Sequence, residues 1–445
     1  MIPLNYTREL KTRHSVDVLV AGGGPAGIAA SISAARQGAS VRLIEASTCL
    51  GGMGTAGMVP AFMTFTDGVN FLAGGVGRQV YDALHKCGGL IQPRQGIKAE
   101  TLKRVYDDLV VEAGVAVSFQ AQLVDVVVEA GRVQAAVCAG KSGLFALEAA
   151  AFVDATGDGD LAVYAGAGFD QGDAEGRTMP GTLCSLWAGI DWATVERERQ
   201  QESGWDHTRL EQAFRDGVFT LTDYHLPGMW RVGDALGGGN IGHTFDVDGT
   251  DEESLTQAFL WARKSLVEFE RYYKQYLKGF ERMELVATGS LLGVRESRRI
   301  RGDYTLGFVD FQRQAVFEDE IGRYCGSVDI HVAKPDRESY DNHRRDITTL
   351  RLGKGESYGI PYRTLLPAGL KNVLVAGRCV STDRQVHAAI RLMPGCFITG
   401  QAAGVAAAVA AQKKTDTRGV DVQDLQSRLM ALGAYLPNST KSKGI

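Results

Sequence analysis

His387 and Arg391 stand four residues apart in STDRQVHAAIRLMPG, which puts them on one face if the stretch is helical. A histidine can take or give a proton near neutrality. A guanidinium can clamp a carboxylate or offset a developing negative charge. The pair therefore suits a reaction in which a carbon gains or loses electrons and a proton. The competing reading is structural, with His387 as a hydrogen-bonded core histidine and Arg391 as the partner of a turn or a carboxylate. Arg378, directly after the turn glycine Gly377, could contact a cofactor or substrate. In the run Arg295, Arg298, Arg299 and Arg301, Arg298 or Arg299 could build an anion-binding wall, and Glu296 and Asp303 could equally neutralise it. Tyr362, in GIPYR, could relay protons or simply pack. Cys379 would need a lowered pKa to be reactive, and the sequence gives no reason to assign one.

Chemistry of this kind needs a carrier, and the first sixty residues describe one. An apolar strand over Val16–Val20 runs into Gly22, Gly24, Pro25, Ala26 and Gly27, then into an Ala-rich helix that stops at Gly38. Gly22, Gly24 and Gly27 satisfy GxGxxG: a tight turn, a close approach of pyrophosphate to backbone, and close packing of helix on strand. The next strand, SVRLIE, ends in Glu45, where a ribose-binding carboxylate belongs. The competing reading is a structural glycine turn with Glu45 as a surface charge. An acid rather than an arginine favours an adenosine ribose without a 2′-phosphate. Gly51 and Gly52, with Thr55 behind them, would let the chain pass tight against a long extended cofactor, which favours FAD over NAD. His85 and Cys87 lie in a plain segment, so the FAD is expected to be non-covalent.

Later segments repeat the pattern of strand, glycine and helix. FVDATGDGDLA reads as a buried strand ending near Thr156 and Gly157, and NVLVAGRCVS as a strand entering the Gly377–Arg378 turn. MPGCFITGQAAGVAAAVAAQ reads as a helix of small residues with Gly395 at its start, so something must pack very close to it. Its N-terminal dipole could face the flavin pyrimidine; the alternative is a tightly packed helix without cofactor contact. Segments VAVSF, LVDVVVE, RVQAAVCA and LFALEA read as a meander. Gly237–Gly239 lack a preceding apolar strand and read as a loop rather than a second dinucleotide site. The middle of the chain, richer in Trp, Tyr and charge, reads as a substrate domain. Its clearest element is an amphipathic helix from about 251 to 277.

The 445 residues leave room for two or three domains, and a hydrophobic share of 44% with 22% charged residues is an ordinary globular balance. A net charge of -4 argues against a nucleic-acid partner held by bulk charge. The seven cysteines form no CxxC pair, which argues against a metal site and a disulfide framework. They read as free thiols of a cytoplasmic protein. MIPLNYTRELKTRH lacks an apolar run, and Ala402–Ala411 looks too short to span a bilayer, so no membrane partner is expected.

Taken together, AGGGPAG, Glu45, LGGMGT, VDATGDGDLA, GVRESRRIRGDY, GIPYR, NVLVAGRCVS and IRLMPGCFITGQAAG resemble the FAD-dependent oxidoreductase family of the glutathione-reductase-like flavoprotein superfamily. The resemblance covers about 1–165 and 285–412. It implies an α/β fold: a Rossmann-like FAD-binding domain, a parallel sheet with a β-meander, and an inserted α+β substrate domain. The expected division is 1–165 and 356–412 for the FAD domain, 166–355 for the substrate domain, and 413–445 for a C-terminal helix and flexible tail. Where aromatic hydroxylases of the superfamily carry Gly-Asp, this chain has Gly377-Arg378, which counts against hydroxylation. The expected activity is hydride transfer between a small polar or anionic metabolite and flavin N5, with an unidentified electron donor or acceptor. The alternatives are an electron-transfer or accessory flavoprotein and a flavin monooxygenase. Acid precipitation should release yellow flavin into the supernatant; colour retained in the pellet would contradict non-covalent binding.

Overall fold

The computed structural model describes residues 7–201, 205–346 and 351–439. A seven-stranded sheet forms its centre, in the order Ala116–Phe119, Val41–Glu45, Thr12–Ala21, Gly143–Asp154, Arg132–Gly140, Gln122–Glu129, with Val373–Val375 also paired to Gly143–Asp154. Thr12–Ala21 pairs in parallel with Val41–Glu45 on one side and Gly143–Asp154 on the other. Both flanks are covered, so Val18, Leu19, Val20 and Ala21 are fully buried.

Two details differ from the sequence reading. LFALEA and FVD are one strand, Gly143–Asp154, because no glycine or proline interrupts the run between them. Its first half pairs antiparallel with Arg132–Gly140, and its last three residues pair in parallel with Val373–Val375. A single strand thus joins meander and parallel sheet. VAVSF, in turn, lies outside the meander and pairs in parallel with Val41–Glu45 at the sheet edge.

The small-residue helix, Met393–Lys413, lies against the glycine-turn helix Pro25–Arg36 at backbone contact. A Cβ on Gly400 would stand 2.1 Å from the Ala26 carbonyl oxygen, and one on Gly404 would stand 2.0 Å from that of Ala30. No side chain fits there, so the partner that demands small residues is a helix. At 21 residues Met393–Lys413 is long and apolar enough to cross a membrane, contrary to the shorter run read from sequence, yet its apolar window is wholly buried within the protein.

A second hydrophobic cluster runs from Leu183 to Leu292 around Trp187, Leu266, Tyr272 and Phe280. The long helix Glu252–Tyr276 supplies much of it, capped by Asp251, whose side chain accepts the Ser254 N–H at 2.7 Å. Its sheet has the order Gly228–Arg231, Gly237–Asn240, Ser185–Ala188, Glu284–Thr288. Gly237–Gly239 are therefore an interior strand, not a loop. Pro60 and Ser185 press against them where Cβ atoms would be, so here glycine permits close sheet packing rather than a turn.

The second cluster takes its side chains from Leu183 to Leu292, with Val294 packed against it. From Ile300 onward, Leu306, Phe311, Ile321 and Tyr324 return to the first cluster. The arginine-rich run thus sits where the chain crosses back. The C-terminal helix is Val422–Ala431, and 440–445 of the expected tail lie outside the described residues. Gly404→Val should cost about 1–3 kcal/mol or more by overpacking. Urea unfolding would show a lower midpoint; an unchanged midpoint would contradict the backbone contact.

Candidate functional site

The phosphate turn is built by exclusion. A Cβ on Gly22 would meet the Ala155 carbonyl oxygen at 2.3 Å, and one on Gly27 would meet the Gly22 carbonyl oxygen at 1.8 Å, whereas Gly24 faces open space. Helix Pro25–Arg36 has Gly24 at its N-cap and no side-chain cap, with Pro25 and Ala26 in its first turn. Its leading end is thus open to an anion. Glu45 Oε2 accepts the Gly23 N–H at 2.6 Å and Oε1 accepts the Ser47 N–H at 2.7 Å, so the carboxylate is braced beside the turn with lone pairs left for ribose hydroxyls. A Cβ on Gly52 would touch Gly24 Cα at 3.2 Å, which shows the two glycine turns in contact. Thr55 Oγ1 donates to the Leu50 carbonyl at 2.6 Å and fixes the second turn. These residues fit a pyrophosphate-linked adenine cofactor.

Four other expected contacts have structural work as well. The Thr156 hydroxyl donates to Asp154 at 2.8 Å and accepts the Asp160 N–H at 3.0 Å. Gly157, at φ +87°, lies against Arg378, whose Nε donates to the Gly157 carbonyl at 3.0 Å. Gly377 sits close to Ala26 and donates its N–H to Thr399 Oγ1 at 3.0 Å. A Cβ on Gly395 would strike the Ile390 carbonyl oxygen at 2.3 Å.

The arginine run is largely neutralised. Arg299 Nη1 reaches Glu296 Oε1 at 2.5 Å, and Arg384 Nε reaches Glu296 Oε2 at 3.0 Å, with the carboxylate fully buried between them. Arg298 pairs with Asp160 at 2.9 Å and lies over the Phe169 ring, because the strand Arg298–Ile300 turns alternate side chains to opposite sides. Arg298 is thus engaged by Asp160 and Phe169 on the opposite side of the strand from Arg299. Arg378 binds the Asp158 carboxylate at 2.6 Å and the Val294 and Gly157 carbonyls, so it ties the two packing units together. Arg301 pairs with Asp170 and Arg418 with Asp303. Arg295 alone of the run has no carboxylate ion pair: buried, it donates to the Pro180 carbonyl and Thr182 Oγ1, both at 2.8 Å, and to Asn240 Oδ1 at 3.2 Å.

His387 and Arg391 sit at the end of helix Arg384–Ile390, held by the Arg391 N–H to the His387 carbonyl at 3.1 Å. His387 is fully buried, and neither ring nitrogen meets a well-formed hydrogen bond. Burial, aided by Arg391, Arg299 and Arg378, holds its pKa well below the ordinary value. It is therefore a neutral imidazole near pH 7, the form that can accept a proton rather than give one. Arg391 Nη2 donates to the Asp329 carbonyl and to Asp329 Oδ2, both at 2.9 Å, while its buried Nε is unpartnered.

From Asp329 a polar chain continues that sequence reasoning missed. His331 Nε2 stands 3.5 Å from Asp329 Oδ1, His331 Nδ1 stands 3.1 Å from His243 Nε2, and His243 Nδ1 stands 2.9 Å from Asp223 Oδ2. That last approach is an ion-pair distance without an aligned N–H. Asp223 Oδ1 accepts the Tyr340 hydroxyl at 2.5 Å and the His225 N–H at 3.0 Å. The His225 ring centroid lies 4.7 Å from that of His243 and 4.6 Å from that of His331.

Burial, with His243 and Arg295, pushes His225 down to about 3, and burial likewise lowers His243 and His331. All three rings are neutral near pH 7. Burial alone would raise Asp223 and Asp329, but the facing histidines outweigh it and hold both ionised, with Arg391 and Arg295 adding to the effect at Asp329. Asp-x-His occurs at Asp223–His225 and Asp329–His331, a local signal that pairing across the fold makes meaningful. The expectation of no metal site rested on cysteine spacing, to which a histidine group is invisible.

The chain belongs to the FAD dependent oxidoreductase family, which it matches over residues 17–429. It is an enzyme of that class, with FAD as cofactor. No curated protein matches it. Among solved structures it is similar to a geranylgeranyl bacteriochlorophyll reductase-like protein from Thermoplasma acidophilum at 12% identity and TM-score 0.48, covering 95% of this chain and 84% of that one. It is also similar to p-nitrophenol 4-monooxygenase from Pseudomonas putida at 10% identity and TM-score 0.47, covering 94% and 88%.

Glu296→Ala should cost about 3–5 kcal/mol, because the buried Arg299 and the half-buried Arg384 lose their shared counter-ion. Denaturant unfolding reads this directly; a loss below about 1 kcal/mol would show the pair to be an ordinary surface bridge.

Proposed function

We propose that this oxidoreductase belongs to the glutathione-reductase-like superfamily, that it transfers a hydride between a small anionic metabolite and flavin N5, and that the anion is received at Arg295 and Arg391. The carrying observation is the pair of buried guanidiniums with spare capacity: Arg295 without a carboxylate ion pair, and Arg391 with an unpartnered buried Nε. An unmatched buried donor costs stability, so its retention is best explained by a ligand that completes it.

FAD, held by Gly22, Gly24, Gly27, Glu45, Gly51 and Gly52, supplies the two-electron chemistry when bound. The rest falls to the chain. Arg391, oriented by Asp329, presents a fixed fork to a carboxylate. His331 and His243, in contact at 3.1 Å, continue the polar chain from Asp329 towards Asp223. Tyr340 holds Asp223 from the far side.

The test is anaerobic titration of the flavin-loaded enzyme with hydroxy acids, amino acids, sugars, NADH and NADPH, watching the oxidised-flavin absorbance. One small carboxylate should bleach it, and Arg391→Met should slow that bleaching by roughly 30-fold or more while dithionite still reduces the flavin. Bleaching by uncharged sugars alone, or by NADH or NADPH alone, would contradict an anionic metabolite as hydride partner.

A further inference from the structure

We propose that His225, His243 and His331 form a binding site for one divalent first-row transition-metal ion, with a coordination position left open. The inference is independent of the hydride-transfer reading. One candidate ligand nitrogen from each ring lies within 4.8 Å of the others, the only such histidine group among the described residues. Ligands at about 2.0–2.1 Å from a zinc-like ion stand roughly 3.3–3.4 Å apart in a tetrahedral site. His243 Nε2 and His331 Nδ1, at 3.1 Å, need to part only slightly to reach that spacing. His225, whose ligand nitrogen lies within 4.8 Å of theirs, closes by an inward swing, and it is the exposed member of the three.

The outer contacts have the form that metal-bound histidines use. Asp223 faces the far nitrogen of His243 at 2.9 Å, and Asp329 faces the far nitrogen of His331 at 3.5 Å. Carboxylates there orient each ring and direct its remaining lone pair inward. Both are anchored in turn, Asp223 by Tyr340 and Asp329 by Arg391. The rings are also paired edge to face, His243 against His331 at 85°, so their lone pairs converge from different directions. An all-imidazole set suits zinc, iron, nickel or copper rather than magnesium or calcium.

Charge adds a constraint on the open position. Asp223 and Asp329 are matched in charge by Arg295, which lies within electrostatic reach of both, and by Arg391, which pairs with Asp329. A divalent ion therefore adds two uncompensated positive charges, so its remaining position calls for an anionic ligand or a hydroxide. Access is from the His225 side, since His243 and His331 are buried.

The test uses the flavin-loaded full-length protein, stripped with a chelator and dialysed. Zn2+ uptake is measured by elemental analysis and calorimetry, and Co2+ uptake by visible absorption beyond the flavin band. One ion per chain should bind, and Co2+ should give a tetrahedral-type spectrum. His225→Ala should weaken binding at least 100-fold. Asp223→Asn should weaken it 10- to 100-fold while the protein keeps its flavin spectrum and its folding transition. Both substitutions spare the buried pair His243 and His331, so loss of folding does not mask the result. Absence of stoichiometric uptake at micromolar Zn2+, or equal uptake by wild type and His225→Ala, would overturn the site and leave His243 and His331 as a hydrogen-bonded pair.

Discussion

The contact on which the remaining architecture depends is that between Pro25–Arg36 and Met393–Lys413. Gly400 and Gly404 bring the second helix onto the carbonyls of Ala26 and Ala30, closer than any side chain permits. The first helix begins at the phosphate turn, and the second begins beside Arg391. Fixing one against the other therefore sets the distance between the cofactor's phosphate end and the groups proposed to act on substrate. The same contact closes the discontinuous domain, because the C-terminal segment has to return across the chain to meet residues near the N-terminus. Gln401 extends the fastening by accepting the Val76 N–H at 2.8 Å.

Around that frame the buried charges are arranged in two ways. Glu296 with Arg299 and Arg384, and Arg378 with Asp158, close on themselves and hold the two packing units in register. Such groups give a buried interface its specificity more than its stability. The second arrangement, from Arg391 through Asp329, His331 and His243 to Asp223, begins at the unpartnered Arg391 Nε and has the exposed His225 beside it. It is this open chain, rather than the closed one, that has capacity for ligand.

What was legible in the sequence was whatever is local. Gly22, Gly24, Gly27 and Glu45 fall within one strand-turn-helix-strand unit, and the structure places them together for the reasons their spacing implies. The small-residue stripe of Met393–Lys413 was also readable as a demand for close packing, although its partner was not, since nothing local names Ala26 and Ala30. Gly237–Gly239 misled because a glycine triplet is the same string in a turn and in a strand that two neighbours crush. The arginine run stayed open in sequence between an anion wall and a salt-bridged strand: Arg298 and Arg299 look alike, and only strand pairing sends one to Asp160 and the other to Glu296. Asp223, His225, His243, Asp329, His331 and Tyr340 escaped because they come from separate segments that meet only after the long connections have folded.

The account stands on one spatial claim: that the open chain of Arg391, Asp329 and the histidines faces the reacting side of the flavin. A crystal structure of the flavin-loaded protein tests it most directly. The account predicts pyrophosphate at the first turn of Pro25–Arg36 and the isoalloxazine ring bordering the side chains of Arg391, Arg295 and His331. A ring separated from that group by packed side chains, with its reactive edge open elsewhere, would contradict it.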